Sequence, residues 1–269
     1  METKIAMRNI YGLLEPSFTD YWNRESKPKA FFIGPLCLNR SPKLEPVLHQ
    51  EYCRCIQLLD KKLRQGMPVL YVAFGSQAVI SAEQLSEIAR GLEESKVSFL
   101  WVAIKDGIQL GEKFEERNKE RGMVVKELVD QKRILEHEIV LGFLSNCGWN
   151  SVLEKQHLNA KMLVEEIIIG LRVETVNGSS NGYVESKSLK NMVKVLIEGK
   201  MENQSKKKLK EVAEAARNSM KKGGSSWHTL NQLIKEIHLQ HDTQKLIRVV
   251  TNRVFVKKKF IISVVTNRQ

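Results

Sequence analysis

Apolar residues in the middle of the chain form short continuous runs that alternate with helical patterns. The run Met67–Phe74 ends at Gly75, and Ser98–Ile104 is a second run of similar length. Continuous apolar runs of this kind predict strands buried on both faces, as in a parallel sheet. Ile139–Leu144 predicts a third such strand. Strands that alternate with helical stretches predict a doubly wound α/β domain.

Helix signals follow the first strand and return in the last third of the chain. Ser81 predicts a helix cap, and Gln84 stands where the partner in a capping box is found. Three further helices are predicted at Ser188–Glu198, at Glu202–Lys222 and at Ser225–Gln240.

The two ends of the chain differ from the middle in their residue patterns. Residues 1–66 contain prolines that break any long periodic element, so no long helix is predicted there. Residues 242–269 are β-branched and basic, and Val249–Arg253 recurs in them as Val264–Arg268. Two copies of five residues are too few for a repeat fold, so this tail is interpreted as foreign to the domain before it. The prolines are Pro16, Pro28, Pro35, Pro42 and Pro46.

The composition of the 269 residues is that of an ordinary globular protein, with a net charge of +12. It excludes collagen-like, disordered and disulfide-scaffold classes, and no apolar run or leader pattern predicts a membrane segment, so a cytoplasmic location is expected. The charge is regional, because residues 187–222 carry +7 and residues 242–269 carry +6. For Lys206–Lys222 the solvated face of a surface helix is favoured over nucleic-acid or membrane binding.

Two strand-to-helix turns carry the residues most suited to chemistry. Phe74–Gln77 and Asn146–Ser151 each place small polar residues where a strand gives way to a helix. Ligands of open α/β sheets bind at the carboxyl ends of strands, and a helix N-terminus favours an anion. Asn150 and Ser151 are suited to phosphate oxygens and Glu154 to ribose hydroxyls. For either turn alone an ordinary strand-to-helix connection is the favoured interpretation, because small polar residues cap helices everywhere, and the presence of two such turns in one sheet weakens it.

The second half of this region resembles a known signature. Gly122–Gln131, Ile134–His137 and Gly142–Glu154 together resemble the signature box of plant UDP-glycosyltransferases. The resemblance extends from about Tyr11 to about Ile237. It includes, in the expected order, Ile33–Leu36, Tyr71–Gln77, Glu83–Leu85 and Phe99–Val102.

The resemblance implies a fold and a set of binding residues. It implies the C-terminal Rossmann-like domain of a two-domain (GT-B) glycosyltransferase, which holds a UDP-sugar without a metal or other cofactor. It implies that Gln131 contacts the uracil or ribose, Glu154 the ribose hydroxyls and Trp149 the sugar. His137 also matches the signature box and is interpreted as structural. The diphosphate is then held by Ser76, Gly148, Asn150 and Ser151.

Two substitutions depart from the family pattern. Leu128 replaces a tryptophan that stacks on uracil, and base stacking contributes ~1–3 kcal/mol. Asn146 replaces a histidine at the diphosphate, where a charged hydrogen bond contributes about 1.5–3 kcal/mol. Together they are expected to weaken donor binding by about 10²–10⁴-fold.

A third departure follows Glu154 directly. The family has a buried strand, a proline-rich loop and an acidic residue beside a sugar-binding glutamine, whereas here only Gln156 resembles that pair and Lys155 stands in the place of the acid. A missing central strand predicts unpaired neighbours in the sheet and an incomplete fold.

The chain is expected to be a truncated product. The family's acceptor pocket and catalytic base belong to an N-terminal domain, and no residue here is assigned the role of the base. The expected organisation is an N-terminal remnant and linker at residues 1–66, a UDP-sugar domain at 67–241 and the foreign tail at 242–269. Transfer to a small hydroxylated acceptor is expected only when an N-terminal domain is supplied. A non-catalytic nucleotide-binding or interaction module is the alternative.

Overall fold

The computed structural model divides the chain into two compact units. The smaller unit contains Met1–Glu45 and Lys210–Arg253, and the larger contains Pro46–Leu209 and Val254–Gln269. The domain boundaries predicted at residues 66 and 241 follow from the family resemblance and not from compactness, and they stay predictions. The described residues are 6–8, 24, 30–34, 50–75, 80–103, 113–145, 170–176, 183–197, 203–241 and 261–264.

Helices and strands alternate through most of the chain. Within the described part, no helix is both long enough and apolar enough to cross a membrane. In chain order the elements are β1 (Ala6–Arg8), β2 (Ala30–Phe32), α1 (Gln50–Arg64), β3 (Val69–Ala73), α2 (Ala82–Ser95), β4 (Ser98–Val102), α3 (Phe114–Asn118), β5 (Gly122–Val125), α4 (Gln131–Leu135), β6 (Val140–Ser145), β7 (Gly170–Arg172), α5 (Ser186–Ile197), α6 (Asn203–Met220), α7 (Ser225–His241) and β8 (Ile261–Val264).

The larger unit is built on a sheet with the strand order β5-β4-β3-β6-β8-β7. Neighbours from β5 to β6 run parallel, and β8 runs antiparallel to both β6 and β7. Every residue of β3 and β4 is buried, as their apolar runs predict. The predicted Rossmann-like α/β fold is confirmed.

Helices cover both faces of this sheet. Leu70 and Val72 of β3 pack on one face against residues of α2 and α5. Val69 and Tyr71 pack on the other face against residues of α1 and α4. Successive strand residues point to opposite faces, so β3 contributes to two separate cores. The result is the three-layer arrangement typical of doubly wound folds.

Helix α1 differs from the sequence prediction of no long helix before residue 67. It begins four residues after Pro46, and it fully buries Cys55 and Leu59 against the sheet. The expectation was wrong because a proline constrains the residues next to it and not a helix that starts beyond it. Helix α1 is one of the layers of the larger unit.

The strand β8 comes from the basic tail and fills a position beside β6. The missing central strand predicts unpaired neighbours in the sheet. That expectation is wrong for β6, whose residues Gly142–Ser145 pair with Ile261–Val264. On its other side β8 pairs with Gly170–Arg172. The sheet is therefore continuous from β5 to β7, although one of its strands is antiparallel.

The smaller unit contains a parallel pair of strands and a helix that packs on it. β1 pairs with β2, and Phe31 and Ile33 pack against Leu233 of α7. The Ser226 hydroxyl donates to the Gly34 carbonyl at 2.5 Å, which fixes the start of α7 beside the end of β2. The helices predicted near residues 202–222 and 225–240 are both present.

A group of hydrogen bonds joins the start of α2 to the start of α5. The Gln84 side chain donates to the Val184 carbonyl at 2.8 Å and accepts from its N–H at 2.9 Å. The Glu87 carboxylate accepts from the Ser186 N–H at 2.8 Å. As predicted, Ser81 caps α2 by accepting from the Gln84 N–H at 3.3 Å. The expected reciprocal capping bond from the Gln84 side chain is replaced by its bonds to Val184, 100 residues later in the chain.

We predict that Gln84→Ala lowers the free energy of unfolding by about 2–4 kcal/mol, because two buried backbone groups of Val184 lose their partner. The matched control is Gln57→Ala, at an exposed position of α1. We expect this control to change stability by about 0.5 kcal/mol or less. Urea unfolding of the two variants makes the measurement, and equal effects of the two substitutions would contradict the account.

A second prediction concerns Glu87. The hydrogen bond from the Ser186 N–H holds the pKa of this carboxyl below its usual range. A depressed folded-state pKa stabilises the fold above the unfolded pKa, and the contribution is lost as pH falls through the folded pKa. Glu87→Gln should therefore destabilise the protein at pH 7 and have little effect in acid. The control is Glu94→Gln, in an exposed ion pair with Lys190, and thermal unfolding as a function of pH makes the measurement. A Glu87→Gln effect that is the same at both pH values would overturn the assignment.

Candidate functional site

The order of the strands creates a switch point between β3 and β6. From β3 the chain moves to β4 and β5 on one side, and it then returns to place β6 on the other side. Val72 of β3 is paired in parallel with Leu144 of β6, so both strands end at the same edge of the sheet. Ligands of open α/β sheets bind outside the carboxyl ends of strands at such a point.

The turn after β3 begins at Gly75. This glycine has a φ of +72°, a left-handed conformation that side chains with a Cβ rarely adopt. Among the described residues, a Cβ placed there would meet no atom within 4 Å. The left-handed backbone, and not crowding by a described neighbour, is therefore what favours glycine at this turn. Ser76 follows this turn and lies outside the described residues.

The N-terminus of α2, beyond this turn, already holds a carboxylate. The backbone N–H of Glu83 and then the Ser81 hydroxyl donate to the exposed Glu83 carboxylate, and these bonds lower its pKa. The positive end of the helix is thus matched by a negative side chain of the chain itself. The expectation that an external anion binds at this helix N-terminus stays a prediction, and such an anion would lie close to the Glu83 carboxylate.

The segment that follows β5 reaches the same edge of the sheet. Leu128 is 73% exposed, which is unusually open for a leucine between buried neighbours such as Val125 and Ile134. Asp130 caps α4 by accepting from the Arg133 N–H at 3.2 Å. Gln131 is the first residue of α4 and is exposed. The segment therefore exposes the apolar side chain of Leu128 and, three residues later, the amide of Gln131.

Burial of Ile134 holds α4 against the sheet. Its side chain is fully buried in the core that also contains Tyr71 and Val125. The exposed residues at the start of α4 are thus carried by an anchored helix, and a site built on such an element is more rigid than one on a free loop. β5 and β6 are three strand spacings apart, or about 14 Å, so a ligand must be elongated to contact the segments after both.

His137 lies at the opposite edge of the sheet, before the start of β6. Its Nε2 is 3.2 Å from Oδ1 of Asp60 in α1, and its Nδ1 accepts from the Ile139 N–H at 3.4 Å. Both ring nitrogens are used in joining α1 to the entry of β6. The interpretation of His137 as structural agrees with these contacts.

Most of the predicted binding residues lie outside the described part of the chain. β6 is described to its last residue, Ser145, and the predicted diphosphate turn begins at the next residue. Gln131 alone among the predicted binding residues has a described position, in the exposed first turn of α4. The residues outside the described ranges are Ser76, Asn146, Gly148, Trp149, Asn150, Ser151, Glu154 and Gln156.

The residues that support this edge were only partly recognised in the sequence. Gln84 was assigned to a capping box, whereas it holds the segment that enters α5. The local pattern gave no signal for this bond, since its partner is 100 residues away. Leu128 was recognised through the resemblance, and its exposure agrees with a position that faces a ligand.

Comparison with known proteins identifies relatives along most of the chain. No protein-family model matches it. UDP-glycosyltransferase 90A1 from Arabidopsis thaliana is 44% identical over 256 residues, which cover 87% of this chain and 52% of the relative. The chain thus spans about half the length of this curated relative.

Solved structures of similar proteins share the fold of this chain. The crystal structure of TcCGT1 in complex with UDP superposes with a TM-score of 0.71 at 30% identity, covering 88% of this chain and 57% of the other. The structure of UGT71G1 from Medicago truncatula complexed with UDP-glucose gives a TM-score of 0.66 at 29% identity, with coverages of 87% and 54%. By sequence and by fold, the chain therefore belongs to the plant UDP-glycosyltransferase family, and the part it represents is consistent with the C-terminal half of these proteins.

Proposed function

We propose that the larger unit binds the UDP part of a UDP-sugar at the carboxyl edge of the sheet, beside the switch point between β3 and β6. The observation that carries this proposal is the parallel register of these strands, which brings their carboxyl ends together at one edge of the sheet. Two solved relatives contain UDP or UDP-glucose, which supports the same class of ligand. The reaction proposed for the complete enzyme is transfer of the sugar to a small hydroxylated acceptor.

The segments at this edge divide the nucleotide between them. The exposed pair Leu128 and Gln131 is suited to the base and ribose, because it offers an apolar surface and an amide. The turn Asn146–Ser151 is proposed to hold the diphosphate through small polar side chains and backbone N–H groups. Such donors stabilise the negative charge of the leaving UDP without a metal ion. Glu154 and Gln156 are proposed to contact ribose and sugar hydroxyls, and Trp149 to line the sugar.

Binding is proposed to be weak. Leu128 lacks the aromatic face on which a uracil base stacks, and such stacking contributes ~1–3 kcal/mol. Asn146 is neutral, so its hydrogen bond to a phosphate is weaker than that of a charged group. Both changes reduce affinity and leave the position of the site unchanged.

Transfer of the sugar by this chain alone is not expected. A general base typically contributes about 10²–10⁴-fold to such a reaction. No residue of the sequence is assigned that role, and the chain spans about half the length of the relatives it matches. The proposal is a donor-binding half that needs a second domain for catalysis. The non-catalytic module, the cytoplasmic location and the absence of nucleic-acid and membrane partners stay predictions.

We predict that Leu128→Trp tightens UDP binding by about tenfold or more, because it restores a stacking surface for the base. Isothermal titration with UDP makes the measurement. The matched control is Ile197→Trp, which adds an indole at another exposed position, 40% accessible at the end of α5. An equal gain in the two variants, or none in Leu128→Trp, would contradict the assignment of this segment to the base.

A further prediction concerns catalysis. When the chain is incubated with radiolabelled UDP-glucose and a mixture of small phenolic and alcohol acceptors, we expect no labelled glucoside above the protein-free control. UDP binding in the same preparation, measured by titration, serves as the positive control. Glucoside formed in proportion to the protein concentration would overturn the proposal that this chain lacks the base.

A further inference from the structure

The strand β8 lies inside the sheet, between β6 and β7. On one side, Ser263 is paired with Phe143 and Ile262 with Leu144. On the other side, the same two residues are paired with Gly170 and Leu171. Both edges of β8 are therefore used, although it is only four residues long and is the last described element of the chain.

Removal of β8 would leave two strand edges without partners in the middle of the larger unit. β6 alternates between buried and partly exposed residues, and Leu144 is fully buried in the core that it shares with β3 and β4. Backbone N–H and C=O groups left unpaired at such a position cost about 1–3 kcal/mol each. The slot between β6 and β7 thus requires an occupant, and the occupant comes from the tail.

The tail contains a second segment that closely resembles this occupant. The eight residues Leu246–Arg253 read Leu-Ile-Arg-Val-Val-Thr-Asn-Arg, and Ile261–Arg268 reads Ile-Ile-Ser-Val-Val-Thr-Asn-Arg. The two copies differ at two positions. The first residue is Leu246 in one and Ile261 in the other, and the third is Arg248 in one and Ser263 in the other. β8 is the first half of the second copy. The first copy lies outside the described residues.

The third residue of each copy distinguishes the two as occupants of the slot. Register position 263 lies between Phe143 and Gly170. Gly170 is buried, and Phe143 is half-buried against the core that contains Tyr71, with the two rings 5.1 Å apart. A charged group beside such apolar neighbours is costly unless it is paired or solvated. Ser263 brings no charge there, whereas the first copy would bring Arg248.

We propose that the slot between β6 and β7 is a binding site for an extended peptide segment, that its occupant is the tail's own second copy, and that the residue at the third position selects this copy over the first. The affinity comes from backbone hydrogen bonds on both edges, as when a peptide adds a strand to a sheet. This proposal does not depend on nucleotide binding, since it concerns only β6, β7 and the tail.

The test uses cysteine pairs in the full chain. Ser145 is paired with Ile261, and opposite residues of antiparallel strands are about 4.5–5.5 Å apart at Cα, within the range that a disulfide requires. Ser145→Cys with Ile261→Cys therefore reports the second copy in the slot. Ser145→Cys with Leu246→Cys is the matched control and reports the first copy. Peptide mapping by mass spectrometry identifies each disulfide among the four cysteines that the chain already has.

With Arg248 and Ser263 unchanged, we expect the second-copy disulfide to form and the first-copy disulfide to be at least about tenfold less abundant. Exchanging the two residues, by Arg248→Ser together with Ser263→Arg, should reverse this order. The yield of each intramolecular disulfide should not depend on protein concentration. Disulfides that form mainly between molecules would overturn the proposed occupant.

The single variant Arg248→Ser keeps the second copy intact, so it tests the selection without weakening the strand that is in place. We expect this variant to raise the yield of the first-copy disulfide severalfold, because the two copies then compete nearly equally for the slot. If the yield of the first-copy disulfide is unchanged in both Arg248→Ser and the exchanged variant, the third residue does not determine which copy occupies the slot. That result would overturn the proposal.

Discussion

The parallel pairing of β3 with β6 is the contact on which the larger unit depends. The chain builds β4 and β5 on one side of β3 before it returns to the other side, so this pairing creates the switch point. It also places the carboxyl ends of β3 and β6, at Ala73 and Ser145, on neighbouring strands about 4.8 Å apart. The cores on the two faces of the sheet both include residues of β3 and β6, such as Val72 with Leu144 and Tyr71 with Val140. Stability and the proposed ligand position thus have the same physical origin.

The other edge of β6 shows how the sheet tolerates a changed strand. β8 is antiparallel to β6, and β7 is antiparallel to β8, so β7 still runs in the direction of β6. The carboxyl end of β7, at Arg172, therefore lies at the same edge as the candidate site. The hydrogen bonds of Gln84 and Glu87 then hold the entry of α5 against α2. An occupant of reversed direction therefore leaves β6 and β7 parallel, with their carboxyl ends at the edge proposed to carry the site.

The sequence predicted those parts of the fold that depend on local composition. β3 and β4 were predictable because strands buried on both faces need continuous apolar runs, and Ser81 because a cap is a local signal. The apolar run of β6 also predicted a strand, but that strand alternates between buried and half-buried residues. Partners distant in sequence were not predictable. Neither the bonds of Gln84 to Val184 nor the position of β8 leaves a trace in the local pattern. The binding residues came from the family resemblance, and of these the structure describes only Gln131.

Hydrogen exchange measured by mass spectrometry, with and without a saturating concentration of UDP, tests the central claim most directly. The account predicts slower exchange in peptides that cover residues 74–81, 126–133 and 144–156, which follow the carboxyl ends of β3, β5 and β6. It predicts no change in peptides from α6 and α7, which serve as the internal reference. Unchanged exchange at the carboxyl edge, or protection confined to α6 and α7, would contradict the placement of a nucleotide site beside the switch point.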